Sequence, residues 1–132
     1  MTPAPQRSIL VVEDDPDLLA VMEMVLSDAG YRVRTAPEGG AALARIAEEM
    51  PALVLLDMRM PGMNGWEFAR EFRRRHDRSA PIVVVTAAED ARARAEEIAA
   101  DGWLAKPFDL DDVIAAAARH AGLPARRGSA SP

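Results

Sequence analysis

Five short apolar runs alternate along this chain with segments of helical period, and that rhythm leaves few architectures open. The runs are Ser8 to Val12 (SILVV), Tyr31 to Thr35 (YRVRT), Leu53 to Leu56 (LVLL), Ile82 to Val85 (IVVV) and Trp103 to Ala105 (WLA). Three are almost purely aliphatic, as strands buried on both faces are, and such strands lie parallel beneath helices. Tyr31 to Thr35 alternates with two arginines and reads as a half-exposed edge strand. The intervening segments carry helix punctuation. Asp15-Pro16 suits an N-cap followed by proline in the first turn; Leu18, Leu19, Met22, Val25, Leu26 and Ala29 line one face, and Gly30 closes the helix.

A second helix is expected from Gly39 to Glu49, with Leu43, Ile46 and Ala47 inward and Pro51 as its stop. Asn64 and Glu67 form a capping-box pair for a third, whose apolar content is Trp66, Phe68, Ala69 and Phe72. The fourth, Asp90 to Ala100, is nearly all alanine and charge, with Ile98 its only large aliphatic side chain. Asp109 caps the fifth, with Leu110, Val113, Ile114 and Ala117 inward. Five βα units in succession predict an α/β fold, a doubly wound (βα)5 sandwich on a five-stranded, mostly parallel sheet. Residues 1–7 and 124–132 read as a flexible N-terminus and a disordered tail around one domain over 8–123.

Composition closes several routes. The 132 residues suit a single domain, and 49% apolar with 28% charged residues is ordinary for a globular one. The absence of cysteine removes disulfides, thiolate metal sites and a cysteine nucleophile. A net charge of −5 gives no general attraction to nucleic acid or anionic lipid. No apolar run approaches a membrane span and no signal peptide opens the chain, so a cytoplasmic protein is expected.

In an open parallel sheet, ligands bind beyond the carboxyl ends of the strands, so the residue after each run is the informative one. The first run ends in Glu13-Asp14-Asp15, the third in Asp57, the fourth in Thr86 and the fifth in Lys106. Clustered carboxylates raise one another's pKa unless a cation sits among them. An all-oxygen set with water suits Mg2+. Lys106 supplies a point charge and Thr86 a hydroxyl donor for phosphoryl oxygens, so a carboxylate here is equipped to attack phosphorus. Singly, each residue has a plainer explanation. Asp15 serves as a helix cap, Thr86 as a strand end and Lys106-Pro107 as a loop. Asp57, directly after four aliphatic residues, has no such structural reason to be there. Lys106 is the only lysine beside fifteen arginines.

ILVVEDDP, LVLLDMRMPGMNGWE, the VVVTA step and KPF occur in this order from about Ser8 to Leu123. Together they closely resemble the receiver domain of two-component response regulators, of the stand-alone, chemotaxis-regulator-like type. The resemblance implies a flavodoxin-like three-layer sandwich with strand order 2-1-3-4-5. It implies that Asp57 is the phosphoacceptor, and that Glu13, Asp14, Asp57 and the Arg59 backbone carbonyl hold Mg2+. Thr86 and Lys106 would bind the phosphoryl oxygens, Trp103 would be the aromatic that follows the threonine, and Lys106–Pro107 would be cis. Trp103 stands where tyrosine or phenylalanine is usual. Switching would remodel the face made by the fourth helix, fifth strand and fifth helix. The implied partners are a sensor histidine kinase or histidine phosphotransferase and a protein that recognises the phosphorylated state. A monomer or a weak, phosphorylation-promoted dimer is expected, with no membrane and no direct nucleic-acid contact.

Three other readings bear on these residues. The chain could be the receiver portion of a longer DNA-binding regulator. An aspartyl-nucleophile phosphatase needs a second acid–base aspartate two residues after the nucleophile, where this chain has Arg59. A flavin carrier of this architecture needs a donor-rich phosphate loop after the first strand, where this chain has three carboxylates. The basic cluster Arg70, Arg73, Arg74, Arg75, His76 and Arg78 is read as a solvated helix face rather than a docking or nucleic-acid patch. His76 and His120 carry no role, and Arg59 and Ala88 are expected to tune water access to the site.

Overall fold

A computed structural model describes residues 8–124. The segments read as a flexible start, 1–7, and as a tail, from 125 on, lie outside the described residues; Pro124 is described and lies beside Gly30. In chain order the elements are β1 (Ile9–Val12), α1 (Pro16–Asp28), β2 (Val33–Ala36), α2 (Gly39–Glu48), β3 (Leu53–Asp57), α3 (Gly65–His76), β4 (Ile82–Ala87), α4 (Ala88–Glu97), β5 (Gly102–Lys106) and α5 (Leu110–Ala121). The five strands form one parallel sheet in the order β2-β1-β3-β4-β5. This is the doubly wound, flavodoxin-like arrangement expected from the βα alternation and the resemblance.

Alternation along the buried strands sends side chains to two cores. Leu10, Val12, Val54, Leu56, Ile82 and Val84 meet α2, α3 and α4 through Leu43, Ile46, Phe68, Phe72 and Ala95, with Ile98 just past α4. Ile9, Val11, Leu53, Leu55, Val83, Val85 and Leu104 meet α1 and α5 through Met22, Leu26, Val113 and Ala117. Phe68 and Phe72, one turn apart on α3, stack with ring centroids 5.9 Å apart and are fully buried. Each such aromatic contributes roughly 2–3 kcal/mol by removal from water. β2 pairs on one side only and is half-exposed, as its arginines foretold.

Several expectations are corrected. Ala47 and Leu110 point outward: the α2 stripe runs through Gly39, Ala42, Leu43 and Ile46, and Leu110 occupies the first turn of α5, past the sheet's edge. Tyr31 precedes β2 instead of opening it; the ring is buried and its hydroxyl donates to the Gly122 carbonyl at 2.8 Å. α4 starts at Ala88 and stops at Glu97 rather than running from Asp90 to Ala100. It stops early because Ala99 adopts a φ of 50° and turns the chain, so that Asp101 reaches β4. There the Asp101 N–H donates to the Ile82 carbonyl at 2.8 Å, and its Oδ2 accepts from the Ile82 N–H at 2.9 Å.

Candidate functional site

The register of the sheet builds the site. Val12 is level with Leu56, Asp57 with Val85, and Ala87 with Lys106, so Glu13 just after β1 and the polar residues Asp57, Thr86 and Lys106 at the ends of β3, β4 and β5 arrive at one edge. Glu13 and Asp57 turn toward the same side, one step past the aliphatic row, and both are buried, at 2% and 4% exposure. Thr86 is equally buried, whereas Asp14 is exposed. Oxygen atoms of Glu13, Asp14 and Asp57 all lie within 4.8 Å of one another.

Around this trio the polar contacts are few. The Lys106 Nζ lies 3.3 Å from Glu13 Oε1 and 3.8 Å from Asp57 Oδ2. The Arg59 N–H donates to Asp57 Oδ1 at 3.1 Å, and the Asp15 N–H donates to Glu13 Oε2 at 3.2 Å. Glu13 Oε1 is buried without a hydrogen-bond donor, although the lysine charge is close. A buried carboxylate oxygen lacking a donor is costly, and a cation is the natural remedy. Burial, then the negative charge of Glu13, pushes the Asp57 carboxyl up to about 7; the Arg59 amide and Lys106 pull the other way and offset part of this. One lysine therefore does not neutralise the cluster. A divalent ion fits its charge and its all-oxygen donors.

The other singled-out residues are placed as follows. Asp15 caps α1, its Oδ1 accepting from the N–H groups of Asp17 at 2.9 Å and Leu18 at 3.4 Å. The Lys106–Pro107 peptide bond is cis. Trp103 lies on β5 with its side chain half in solvent, at 49% exposure, lining a groove of about 590 Å³ with Leu104, Phe108 and His120. His120 packs against Gly102, where a Cβ would come within 2.9 Å of its Nε2, and burial lowers its pKa.

Contacts across helices escaped the sequence reading. The Arg59 guanidinium leaves the site and pairs with Asp90 of α4 at 3.2 Å. The Trp66 indole N–H donates to Glu97 at 2.7 Å, and Arg94 lies 5.6 Å over the same ring. The basic cluster is solvated only in part. Arg74 and Arg75 pair with Glu71 on the surface of α3, but Arg73 is half-buried. Arg73 donates to the carbonyls of Ile98 and Ala99, and Arg78 to that of Ala99. Ile98 is the C-cap, whose carbonyl the end of α4 leaves without a helical partner, and Ala99 is the residue just beyond it. Asp90 and Arg73 gave no local signal, because their partners stand 31 and 25 residues away.

This doubly wound α/β sheet brings carboxylates and a lysine together at its carboxyl edge, where open parallel sheets bind their ligands. The family model for the response regulator receiver domain matches residues 9–118, and the chain belongs to that family. It is 37% identical over 113 residues to the DNA-binding transcriptional regulator NtrC of Salmonella typhimurium, covering 83% of this chain and 24% of that protein. The chain thus spans about a quarter of that curated relative's length. Among solved structures, chemotaxis protein CheY4 of Vibrio cholerae is 29% identical with a TM-score of 0.79, covering 88% of this chain and 99% of that one. The receiver domain of NtrX from Brucella abortus is 31% identical with a TM-score of 0.80, covering 86% and 98%. Among the described residues, no helix is long and apolar enough to cross a membrane.

Proposed function

We propose that Asp57 accepts a phosphoryl group from the phosphohistidine of a sensor kinase or histidine phosphotransferase, and that the chain signals through its phosphorylated state. A carboxylate oxygen of Asp57 forms the new O–P bond as the P–N bond breaks, and the leaving imidazole keeps the electron pair and takes up a proton. The observation that carries this reading is a buried aspartate at a strand end, held beside Lys106, Asp14 and Glu13, whose Oε1 is itself buried without a hydrogen-bond donor. Glu13, Asp14, Asp57 and the Arg59 carbonyl would hold Mg2+, which supplies neutralisation of the phosphoryl oxygens. Lys106 and Thr86 bind the remaining phosphoryl oxygens, and positioning with charge neutralisation is most of what phosphoryl transfer asks of a protein. Trp103 and the α4-β5-α5 face carry the output to a protein partner. The chain promotes its own phosphorylation and slow dephosphorylation and turns over no other substrate. It acts in the cytoplasm as a monomer or weak dimer.

One observation favours a second reading of the whole, namely the NtrC match over a quarter of that regulator. In that reading the same site controls a DNA-binding protein. A phosphatase is disfavoured because the group two residues past Asp57 is the Arg59 guanidinium, engaged with Asp90 and unable to act as an acid at neutral pH. Intact mass after incubation with acetyl phosphate tests the assignment. Wild type is expected to gain one Mg2+-dependent phosphoryl group and Asp57→Asn none; uptake by the mutant at the wild-type level refutes it.

A further inference from the structure

α4 is fastened very differently at its two ends. Its buried residues are only Ala91 and Ala95, with Ile98 just past its end, so apolar packing holds it weakly. The C-terminal end is held by side chains from α3 and the segment after it. Trp66 donates to Glu97 and lies under the Arg94 guanidinium, and Arg73 and Arg78 hold the carbonyls of Ile98 and Ala99. The N-terminal end has no side-chain cap. Among the described residues, the one side-chain bond that reaches its first turn from another element is Arg59 Nη2 to Asp90 Oδ2, at 3.2 Å.

The geometry points to Arg59 as a releasable tie, which trades the Asp90 carboxylate for the phosphoryl group on Asp57 and so frees the N-terminal turn of α4 to swing on its pinned C-terminal end. This inference rests on the phosphoacceptor reading of Asp57. Three observations support the trade. The Arg59 amide already touches Asp57 Oδ1 at 3.1 Å, so its side chain starts beside the acceptor. That side chain is 68% exposed, and solvent rather than packing surrounds it, leaving it able to reorient. A phosphoryl group also presents about −1.5 to −2 charge on several oxygens, against the single charge of Asp90, and guanidinium matches phosphate geometry with two parallel bonds. Reciprocity follows: if phosphorylation breaks the Arg59–Asp90 pair, breaking the pair in advance must favour the freed state of α4.

Hydrogen exchange of α4 amides, with and without acetyl phosphate and Mg2+, tests this in wild type, Asp90→Asn and Asp90→Glu, with adduct mass read on each sample. In wild type, phosphorylation should speed exchange at 89–92 about twofold to fivefold, the range an exposed pair permits, and leave 95–98 unchanged. Asp90→Asn should show the faster exchange before phosphorylation and gain nothing after it, and Asp90→Glu should restore the wild-type response. An adduct on Asp90→Asn with wild-type exchange in both states would overturn the tie, and equal acceleration along the whole helix would overturn the pivot. Absence of any adduct in wild type overturns the phosphoacceptor reading itself, an outcome the mass measurement distinguishes from the other two.

Discussion

At Asp57 the chain buries a carboxylate beside Glu13 and meets it with one amide and one distant lysine. Its carboxyl, near 3.8 in the unfolded chain, rises to about 7 in the fold. Because the folded form binds this proton more tightly, the contribution to stability is fully present below about pH 4 and is lost as pH rises through about 7. Asp57→Asn removes the charge that is penalised. In metal-free buffer with EDTA, the mutant should therefore gain on wild type between about pH 4 and 8, by roughly 2–4 kcal/mol at the alkaline end. Urea denaturation at several pH values checks it; a difference that stays flat with pH would mean that folding does not raise the Asp57 pKa. Asp57, Glu13 and Lys106 were legible as polar residues closing apolar runs. Asp90 was not, because its meaning comes from a guanidinium on another element.

The elements hold the site through close approaches as much as through caps. α3 begins against the end of β3: a Cβ on Gly65 would lie 2.6 Å from Met58 Sδ, 2.7 Å from Met58 Cα and 3.2 Å from the Asp57 carbonyl oxygen. The methionine sulfur could move aside, but the backbone cannot without shifting the residue next to Asp57. Gly65→Ala should therefore cost about 1–3 kcal/mol, read as a lowered denaturation midpoint. Helix starts were readable where a capping side chain marks them, as with Asp15 and with Asn64, whose Oδ1 accepts from the Glu67 N–H at 2.9 Å. α4 lacks such a cap, and its bounds differ from the expected ones at both ends. Its stop depends on Ala99 turning back so that Asp101 can meet Ile82, a contact no local pattern announces.

For the molecule as a whole, the acidic edge makes stability depend on what occupies it. An ion that binds only the folded state stabilises it by mass action, by about 1.4 kcal/mol when its concentration is tenfold above Kd. Millimolar Mg2+ should thus raise the melting temperature near pH 8, EDTA should reverse the rise, and the effect should shrink near pH 5, where protons compete for Asp57. It should also shrink in Asp57→Asn. Melting curves decide this, and an equal Mg2+ shift in wild type and mutant would place the ion elsewhere.

Alternating apolar runs and helical segments determined a parallel α/β sandwich by themselves, because period and length are local properties that survive in one dimension. They also determined which residues stand at the strand ends. Two cores on opposite faces, the burial of Glu13 and the fastening of α4 by Trp66, Arg73 and Arg59 were decided only by the tertiary structure. The physical reason is that exposure and ion pairing depend on which distant elements come to lie side by side. Strand order and register set those neighbours, and neither is written within any one segment.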